Sequence, residues 1–270
     1  MASDVRGAEA SIDLRVDDVR LSPNPQPAEE QIAPPVPEAE EHHATVIDLR
    51  TAEPIVEIDR LTPHGLTAAS TASLAIKRGI DILVAAVALV LLVPLFLMVA
   101  IAIKATSRGP VFFAQPRVGK GGELFGFVKF RSMRTTAVYE KPELKELNEK
   151  DGPIFKIRND PRITKVGKVI RKLSIDELPQ LAHVLSGKMA LVGPRPHLPE
   201  EVAAYDARAH RRLTVRPGIT CIWQVSGRAD LDFDTWIDLD LEYIDNWSLG
   251  LDAALLVKTV PAVLTGKGAY

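Results

Sequence analysis

Ile82–Ile103 reads ILVAAVALVLLVPLFLMVAIAI, a run of 22 residues that contains no charged or polar side chain. About 20 apolar residues suffice for a helix that crosses the hydrocarbon core of a bilayer. The alternative, a buried helix of a soluble core, fits less well because such helices rarely run this far without one polar position. The stretch therefore predicts a membrane segment, and the rest of the fold is expected to assemble beside it.

Three features favour a re-entrant helix over a single span, although both remain open. Pro94 lies in the middle of the run, where it removes a helical hydrogen bond and predicts a kink. The arm Ile82–Val93 is about 18 Å long at ~1.5 Å per residue, well short of a ~30 Å hydrocarbon core. Positive residues on both sides favour a cytoplasmic position for both ends; they are Lys77, Arg78, Lys104, Arg108, Arg117 and Lys120.

The net charge of −2 is divided unevenly along the chain. Residues 1–70 carry 14 acidic and 5 basic side chains, whereas residues 71–270 carry 21 acidic and 28 basic ones. The first segment is also rich in Pro and Ala, which predicts a disordered acidic tail over residues 1–71 without a signal-peptide pattern. The basic remainder divides into a membrane helix with its flanks (72–108) and a C-terminal domain (109–270). It is expected to bind anions such as phosphates, nucleic acid or acidic lipid headgroups.

Short alternating pieces after the membrane segment predict a helix-rich α+β domain. Pro110–Gln115 and Leu124–Phe130 have the pattern of two strands joined by a turn at Gly119–Gly122, and Ile219–Val225 is a further strand candidate. The segments with helical character are Ile175–Leu185, Pro199–Leu213, Phe233–Asp245 and Leu249–Leu264. The single cysteine, Cys221, excludes an intrachain disulfide framework.

Arg171–Leu181 reads RKLSIDELPQL, which places two adjacent carboxylates, Asp176 and Glu177, at the start of a predicted helix. One interpretation is structural: Ser174 and Glu177 have the spacing of a capping box, and Asp176 adds favourable charge to the first turn. The other is catalytic, since a helix N-terminus stabilises an ionised carboxylate and its free N–H groups can hold a phosphate. In that case Asp176 is a nucleophile toward phosphorus and Glu177 is a base or a metal ligand.

A carboxylate that attacks a diphosphate needs cations to reduce the repulsion between anions, and the sequence supplies two groups of them. Arg binds phosphate oxygens through two hydrogen bonds, and Lys acts as a point charge. The candidates for the phosphates are Lys129, Arg131, Arg162, Arg171 and Arg195, the last of which lies between two prolines. The candidates for a nucleotide or sugar are Arg216, Gln224 and Arg228.

Two alternatives compete with this interpretation. The runs Asp230–Asp234 and Asp238–Asp240 resemble the Asp-x-Asp metal motif of nucleotide-sugar glycosyltransferases. The motif is short and common, and the roughly 120 residues between the membrane run and Asp230 offer little room for a large nucleotide-binding sheet. A solvated face is therefore the simpler explanation of these aspartates. The other alternative is a non-catalytic assembly subunit that recruits partners through the acidic tail.

The ordered set of motifs is similar to that of the bacterial sugar transferases, the monotopic phosphoglycosyl transferases that start lipid-linked glycan assembly. The resemblance begins at Lys77–Asp81 and reaches the C-terminus, over about 195 of the 270 residues, and it leaves out the acidic tail. Each block is weak, but the ordered set is specific. The blocks are Gln115–Gly119, Lys129–Met133, Asn159–Arg162, Arg171–Leu181, Leu191–Pro196, Arg216–Thr220, Trp223–Arg228 and Asp240–Tyr243.

The resemblance implies a reaction and a set of roles. A sugar-1-phosphate is transferred from a UDP-sugar to polyprenyl (undecaprenyl) phosphate with release of UMP, as the first membrane step of exopolysaccharide or other glycan assembly. By the same match, Asp176 forms a covalent phosphosugar intermediate, Mg²⁺ lies at Asp176 and Glu177, and Lys129, Arg171 and Arg195 bind phosphate.

The resemblance also implies a location at the cytoplasmic face of the bacterial inner membrane. It expects one N-terminal re-entrant helix broken at Pro94 and seated by Lys77, Arg78 and Asp81, with membrane lipid and no nucleic acid among the partners. The family commonly has Ser before this proline; here it is Val93, which leaves the angle of the kink open. The identity of the sugar and the oligomeric state stay open, a homodimer being one candidate, and the tail is a candidate for binding assembly proteins.

Overall fold

The computed structural model describes residues 65–150, 152–227 and 231–266. The tail predicted over residues 1–71 lies outside these ranges up to residue 64, as do Arg228 and Asp230. The α-helices and strands are α1 (Thr71–Leu91), α2 (Val93–Thr106), β1 (Phe112–Val118), β2 (Leu124–Phe130), α3 (Lys165–Lys172), α4 (Leu181–Leu185), β3 (Ala190–Val192), α5 (Pro199–Val202), α6 (Ala207–His210), β4 (Gly218–Thr220), α7 (Ile222–Ser226), α8 (Phe233–Asp245) and α9 (Leu249–Thr265). Short 3₁₀ helices occupy Gly65–Ala68, Lys120–Gly122, Lys145–Leu147, Ile175–Gln180 and Arg211–Thr214.

The predicted helix-rich α+β class is confirmed. The strands form an antiparallel hairpin, in which Phe112 pairs with Phe130, and a short parallel pair in which Ala190 lies opposite Gly218. The hairpin reverses at the predicted glycine turn, where Gly121 has a φ of 72° that few other residues adopt. Its first strand ends three residues later than predicted, at Val118.

The apolar run is broken into two helices next to Pro94, as predicted. α1 ends at Leu91, α2 begins at Val93, and the two axes are bent by 58°. Proline is tolerated in the first turn of a helix because an N–H there has no partner within the helix, and this is where Pro94 lies in α2. Among the described residues, no single helix is long and apolar enough to cross a membrane, but the bent pair meets the criterion together.

The bent pair packs on the rest of the domain at both ends. Ala85 of α1 belongs to the main apolar core together with residues of β1, β2, α4 and α8. Val99 and Ile103 of α2 form a second cluster with Phe130 and Ile170, at the ends of the hairpin and in α3. Both helices also leave large apolar side chains exposed, such as Leu91 at 73%.

Three predicted elements differ from the observed ones, each for a local reason. The helix predicted over Pro199–Leu213 is divided, because Asp206 caps a new helix by accepting a hydrogen bond from Ala209 N. The strand predicted over Ile219–Val225 ends at Thr220, where pairing with β3 stops; Cys221 is the N-cap of α7, which begins at Ile222. Ile175–Leu185 is a 3₁₀ helix that contains Pro179, followed by the short α4.

Candidate active site

Asp176 and Glu177 lie on the 3₁₀ helix that follows α3, and the turn between them and α3 is strained. Ser174 has a φ of 53°, the left-handed conformation that side chains other than glycine rarely adopt. Its hydroxyl makes no capping hydrogen bond, so the capping-box interpretation is wrong. Asp176 is only 5% exposed. The carboxylate of Glu177 is bound by a side chain outside this turn.

That partner is Arg195, which lies in the loop that follows β3. Arg195 Nη1 donates to Glu177 Oε2 at 3.0 Å, and Nη2 contacts Oε1, so the pair is bidentate. The carbonyl of Arg195 accepts a hydrogen bond from Arg212 Nη2 at 2.9 Å, and Arg212 Nε donates to the fully buried Asp240 at 2.9 Å. The guanidinium that holds Glu177 is therefore fixed through its backbone as well.

The two neighbouring carboxylates have opposite pKa shifts. Burial, and then the negative charge of Glu177, raises the pKa of Asp176, although Lys129, Arg171 and Arg195 act in the other direction. For Glu177 burial also acts to raise the pKa, but the charge and hydrogen bonds of Arg195 prevail and lower it. Glu177 therefore stays ionised, whereas Asp176 is less acidic than an ordinary aspartate.

Two predicted cations share this site with the dyad. Lys129 projects from β2 and Arg171 from the last turn of α3, and both charges act on Asp176 and Glu177. Burial lowers the pKa of Lys129 to about 8, while the charge of Asp176 opposes this. With Arg195, they place three of the five predicted phosphate-binding residues around the dyad.

Lys156 is a member of this cluster that sequence reasoning missed. Asn148 holds its segment, because Oδ1 accepts a hydrogen bond from Lys156 N at 2.8 Å and Nδ2 donates to Ile154 O at 3.0 Å. Burial, followed by the charges of Arg171 and Arg195, lowers the pKa of Lys156 to about 7. No local pattern marks this lysine in the sequence; the fold alone brings it to the dyad.

The other predicted binding residues lie in different surroundings. Arg131 donates to the carbonyls of Ser107 and Arg108 and so closes the end of α2. Arg162 binds Asp160 and the carbonyl of Ala137, both buried contacts. Arg216 donates to Gly187 O, and Gln224 accepts from Cys221, contacts that do not involve the dyad.

The residues predicted to seat the membrane helix contact the protein itself. Lys77 and Asp81 are buried, and Lys77 Nζ lies 2.6 Å from Asp252 on α9. Arg78 donates to the carbonyls of Val184 and Leu185 at the end of α4. These charges join α1 to the domain.

The rival Asp-x-Asp motif does not form a site in the described residues. Asp238 is exposed and binds Arg208, whereas Asp240 is fully buried and binds Arg212. Asp232 caps α8 by accepting a hydrogen bond from Thr235 N. The two ends of Asp238–Asp240 thus point into different surroundings, one solvent and the other core.

The donor set of the dyad suits Mg²⁺ only in combination with a substrate. Mg²⁺ is usually bound by one or two carboxylates together with substrate phosphates and waters. Asp176 and Glu177 provide two carboxylates, and Arg195 occupies only part of the hydrogen-bonding capacity of Glu177. Among the described residues no cluster of three or more His, Cys, Asp or Glu could hold a metal by itself. The fit is therefore to a cation shared with a diphosphate.

Comparison with known proteins agrees with this geometry. The sequence model described as bacterial sugar transferase matches residues 72–266. The exopolysaccharide production protein ExoY of Rhizobium meliloti is 42% identical over 198 residues, which cover 72% of this chain and 88% of that protein. The undecaprenyl-phosphate galactose phosphotransferase of Salmonella typhimurium is 45% identical, and the undecaprenyl-phosphate glucose phosphotransferase of Komagataeibacter xylinus 42% identical, each over 72% of this chain.

The chain belongs to the bacterial sugar transferase family. The predicted family membership, and with it a transferase activity, is thereby confirmed. The matched region covers 42% and 37% of the galactose and glucose phosphotransferases, so these relatives are more than twice as long as the region they share with this chain.

Proposed function

We propose that the protein transfers a sugar-1-phosphate from a UDP-sugar to undecaprenyl phosphate and releases UMP. The observation that carries this proposal is the dyad of the buried Asp176, available for attack, and the half-buried Glu177, held by Arg195. Relatives named as undecaprenyl-phosphate sugar phosphotransferases support the choice of donor and acceptor. Lys129, Lys156, Arg171 and Arg195 bring up to four positive charges against two negative ones, which suits a diphosphate.

The reaction proceeds in two displacements at the sugar-linked phosphorus. A carboxylate oxygen of Asp176 forms a bond to that phosphorus while the bridging P–O bond to UMP breaks, leaving an acyl phosphate that carries the sugar. An oxygen of the lipid phosphate then forms the new P–O bond, and the Asp176 carboxylate leaves. The product is a polyprenyl diphosphate sugar, and the enzyme regains its starting state.

The neighbouring side chains orient and neutralise the reacting groups. Lys129, Arg171 and Arg195 bind the phosphate oxygens, and Lys156 adds a further cation. Glu177 orients Arg195 and, with Asp176, would hold Mg²⁺ against the diphosphate. Magnesium bound there would neutralise part of the charge of the diphosphate. A role for Glu177 as general base is disfavoured, because its low pKa makes it a weak base near neutral pH.

The product released from the donor separates this function from its rival. Purified protein incubated with UDP-sugar, undecaprenyl phosphate and Mg²⁺ should release UMP, and Asp176→Asn should reduce the rate by at least ~1,000-fold, as loss of a nucleophile generally does. Asp238→Asn is the matched control, since Asp238 is exposed and belongs to the rival motif. Release of UDP, with loss of activity in Asp238→Asn, would replace this proposal by an Asp-x-Asp glycosyltransferase.

The covalent step has its own test. A UDP-sugar labelled in the phosphate next to the sugar, supplied without lipid acceptor, should leave label on the wild-type protein. Hydroxylamine should remove that label, as it does from acyl phosphates, and Asp176→Asn should acquire none. Equal labelling of the wild type and Asp176→Asn would contradict a role for Asp176 as nucleophile.

We also propose that α1 and α2 form a re-entrant anchor at the cytoplasmic face of the inner membrane, with residues 109–270 as the catalytic domain. The ends of the pair support this, because Lys77 contacts β3 and α9 while Ser107 and Arg108 accept hydrogen bonds from Arg131 of the same domain. A cysteine at Leu92 in a Cys221→Ser background should resist a membrane-impermeant thiol reagent added from the periplasm. Rapid labelling from that side would indicate a full span.

The sugar is best identified by testing each donor separately. Relatives of similar identity are named for galactose and glucose, so similarity alone does not choose between these sugars. UMP release should be compared across UDP-galactose, UDP-glucose and their N-acetylated counterparts under one set of conditions.

A further inference from the structure

Three buried polar side chains connect α1, α8 and α9 to β3. Lys77, Tyr243 and Asp252 are each at most 8% exposed. Lys77 Nζ lies 2.6 Å from Asp252 Oδ2 and 3.3 Å from Val192 O, while the Tyr243 hydroxyl lies 2.8 Å from Asp252 Oδ1 and 3.0 Å from the same carbonyl. These three residues, called the Lys77 network below, thus converge on the last residue of β3.

α1 holds the preceding residue of the strand as well. The N–H of Leu191 donates to Asp81 Oδ1 at 3.2 Å, and Asp81 lies one helical turn after Lys77. β3 therefore has hydrogen-bond partners on α1 and α8 in addition to its pairing with β4. Because α1 runs without interruption from Thr71 to Leu91, these partners share one rigid element with the apolar anchor.

The strand leads directly to the guanidinium that holds Glu177. Arg195 follows Val192 by three residues, and the intervening loop is held at Gly193 N by Thr220 O (3.0 Å) and at Pro194 O by Gly218 N (2.9 Å). Gly193 and Gly218 are so close that a Cβ on Gly218 would lie 2.1 Å from Gly193 N. A displacement of β3 is therefore transmitted to Arg195 instead of being absorbed by a flexible loop.

The energetics of buried ion pairs argue for a role beyond stability. Replacing both members of such a pair by neutral groups of similar volume is often neutral or stabilising, whereas removal of one member leaves an uncompensated buried charge. Stability alone therefore does not account for a lysine, an aspartate and a tyrosine buried together. Lys77 and Tyr243, which both donate to Asp252, also both donate to the carbonyl of Val192, and this shared acceptor indicates a role in the geometry of β3.

We propose that the Lys77 network positions Arg195: it fixes β3 to the anchoring helix and thereby sets the arginine against Glu177 and the donor diphosphate. Lys77, Tyr243 and Asp252 are positioning residues, since none of them contacts the dyad in the described structure. The activity readout of this inference rests on the proposed transferase function. Its binding readout, the affinity for UDP in the presence of Mg²⁺, requires no turnover.

The test compares Lys77→Met, Tyr243→Phe and the double variant Lys77→Met/Asp252→Asn in the full-length protein. Both single variants should lower kcat/KM for UMP release by about 10- to 100-fold, the range that a small misplacement of a binding group produces. The double variant removes both charges of the Lys77–Asp252 pair and leaves Asp81 with its hydrogen bond from Leu191 N. Its Tm should therefore lie closer to the wild-type value than that of Lys77→Met, while kcat/KM and UDP affinity stay low. Ile237→Ala, a core truncation on the same helix as Tyr243, is the control for lost stability and should keep kcat/KM near the wild-type value.

The outcomes separate three cases. A double variant that regains both Tm and kcat/KM would show that the network only stabilises the fold, and the inference would be wrong. The same conclusion would follow if Ile237→Ala lost as much kcat/KM as Lys77→Met. A wild-type protein that binds UDP but releases no UMP would overturn the proposed function alone, because the comparison of UDP affinities would still test the role of the network.

Discussion

Asp176 and Glu177 are neighbours in the chain, yet their surroundings shift their pKa values in opposite directions. Pairs of titratable groups that are separated in this way often have distinct roles in catalysis. Burial makes Asp176 the less acidic of the two, and therefore the better nucleophile once ionised, while Arg195 keeps Glu177 charged. This difference in environment supports the two different roles proposed for two carboxylates of similar intrinsic chemistry.

The pH dependence of kcat/KM should reflect Asp176 and Lys129. Asp176 attacks only when ionised, so activity should fall as the pH decreases through its raised pKa, which lies above the ordinary 3.8. Lys129 binds phosphate as a cation, so activity should fall again above its pKa of about 8. Since kcat/KM reports the free enzyme, the rate of UMP release at low donor concentration is the measurement to use.

Lys129→Arg provides the control for this profile. Arginine keeps its proton throughout the accessible pH range, so the decline above pH ~8 should disappear while the acid limb stays in place. An alkaline decline that is unchanged in Lys129→Arg would show that another group is responsible, and Lys156 would be the next candidate because burial and neighbouring cations lower its pKa as well.

At the scale of elements, the turn between α3 and the 3₁₀ helix of the dyad stores backbone strain. Ser174 is the non-glycine residue with a positive φ in the described part of the chain, and it lies two residues before Asp176. Strain of this kind persists only where the surrounding structure imposes it, and it is frequent at functional sites. Here it directs the dyad toward Arg195 instead of allowing α3 to continue.

Replacement of Ser174 should reveal this strain. A β-branched side chain is disfavoured at positive φ, so Ser174→Val should lower the free energy of unfolding by about 1–3 kcal/mol. Ser174→Gly should stay close to the wild type because relief of strain offsets the greater flexibility of the unfolded chain. Denaturant unfolding of both variants, with Ser186→Val at an ordinary helical φ as control, measures the difference. A Ser174→Val protein as stable as Ser174→Gly would exclude strain at this position.

Elements with local signals could be predicted from the sequence, and those that depend on distant partners could not. The break at Pro94, the β-hairpin and α8 follow from proline chemistry, a glycine turn and helical periodicity. Glu177 and Ser174 have the spacing of a capping box, and no local pattern indicates that the partner of Glu177 is Arg195, 18 residues away. Lys77 has the pattern of a membrane-flanking charge. Its partner in the structure, Asp252, is 175 residues away, too far for a local pattern to indicate it.

At the scale of the whole molecule, the chain combines the bent helix pair, the domain that carries the dyad and a long acidic N-terminal segment. The family match covers residues 72–266 and leaves that segment outside. The described structure begins earlier, at Gly65, and Leu66 belongs to the main apolar core, with 8% exposure. Leu66 therefore packs with the folded domain, although composition assigned it to the tail over residues 1–71.

A variant that lacks residues 1–64 should keep kcat/KM for UMP release within about twofold of the full-length value, because the buried contacts of the site lie in the remaining chain. A shorter variant that begins at Thr71 also loses Leu66 and should have a lower Tm. If the tail binds assembly proteins, the first deletion should impair polymer export in cells at normal turnover. A tenfold loss of turnover on removal of residues 1–64 would instead give the tail a part in catalysis.

The link between Lys77 and Asp252 also has a consequence for the order of events during synthesis. Asp252 lies 175 residues after Lys77 in the chain, so the ribosome completes α1 while the eventual partner of Lys77 does not yet exist. Until then Lys77 and Asp81, 3.7 Å apart on successive turns, have each other as their nearest opposite charges on α1. Synthesis of α9 completes the ionic contact, so β3, which leads into the loop of Arg195, acquires this support only after Asp252 has been added.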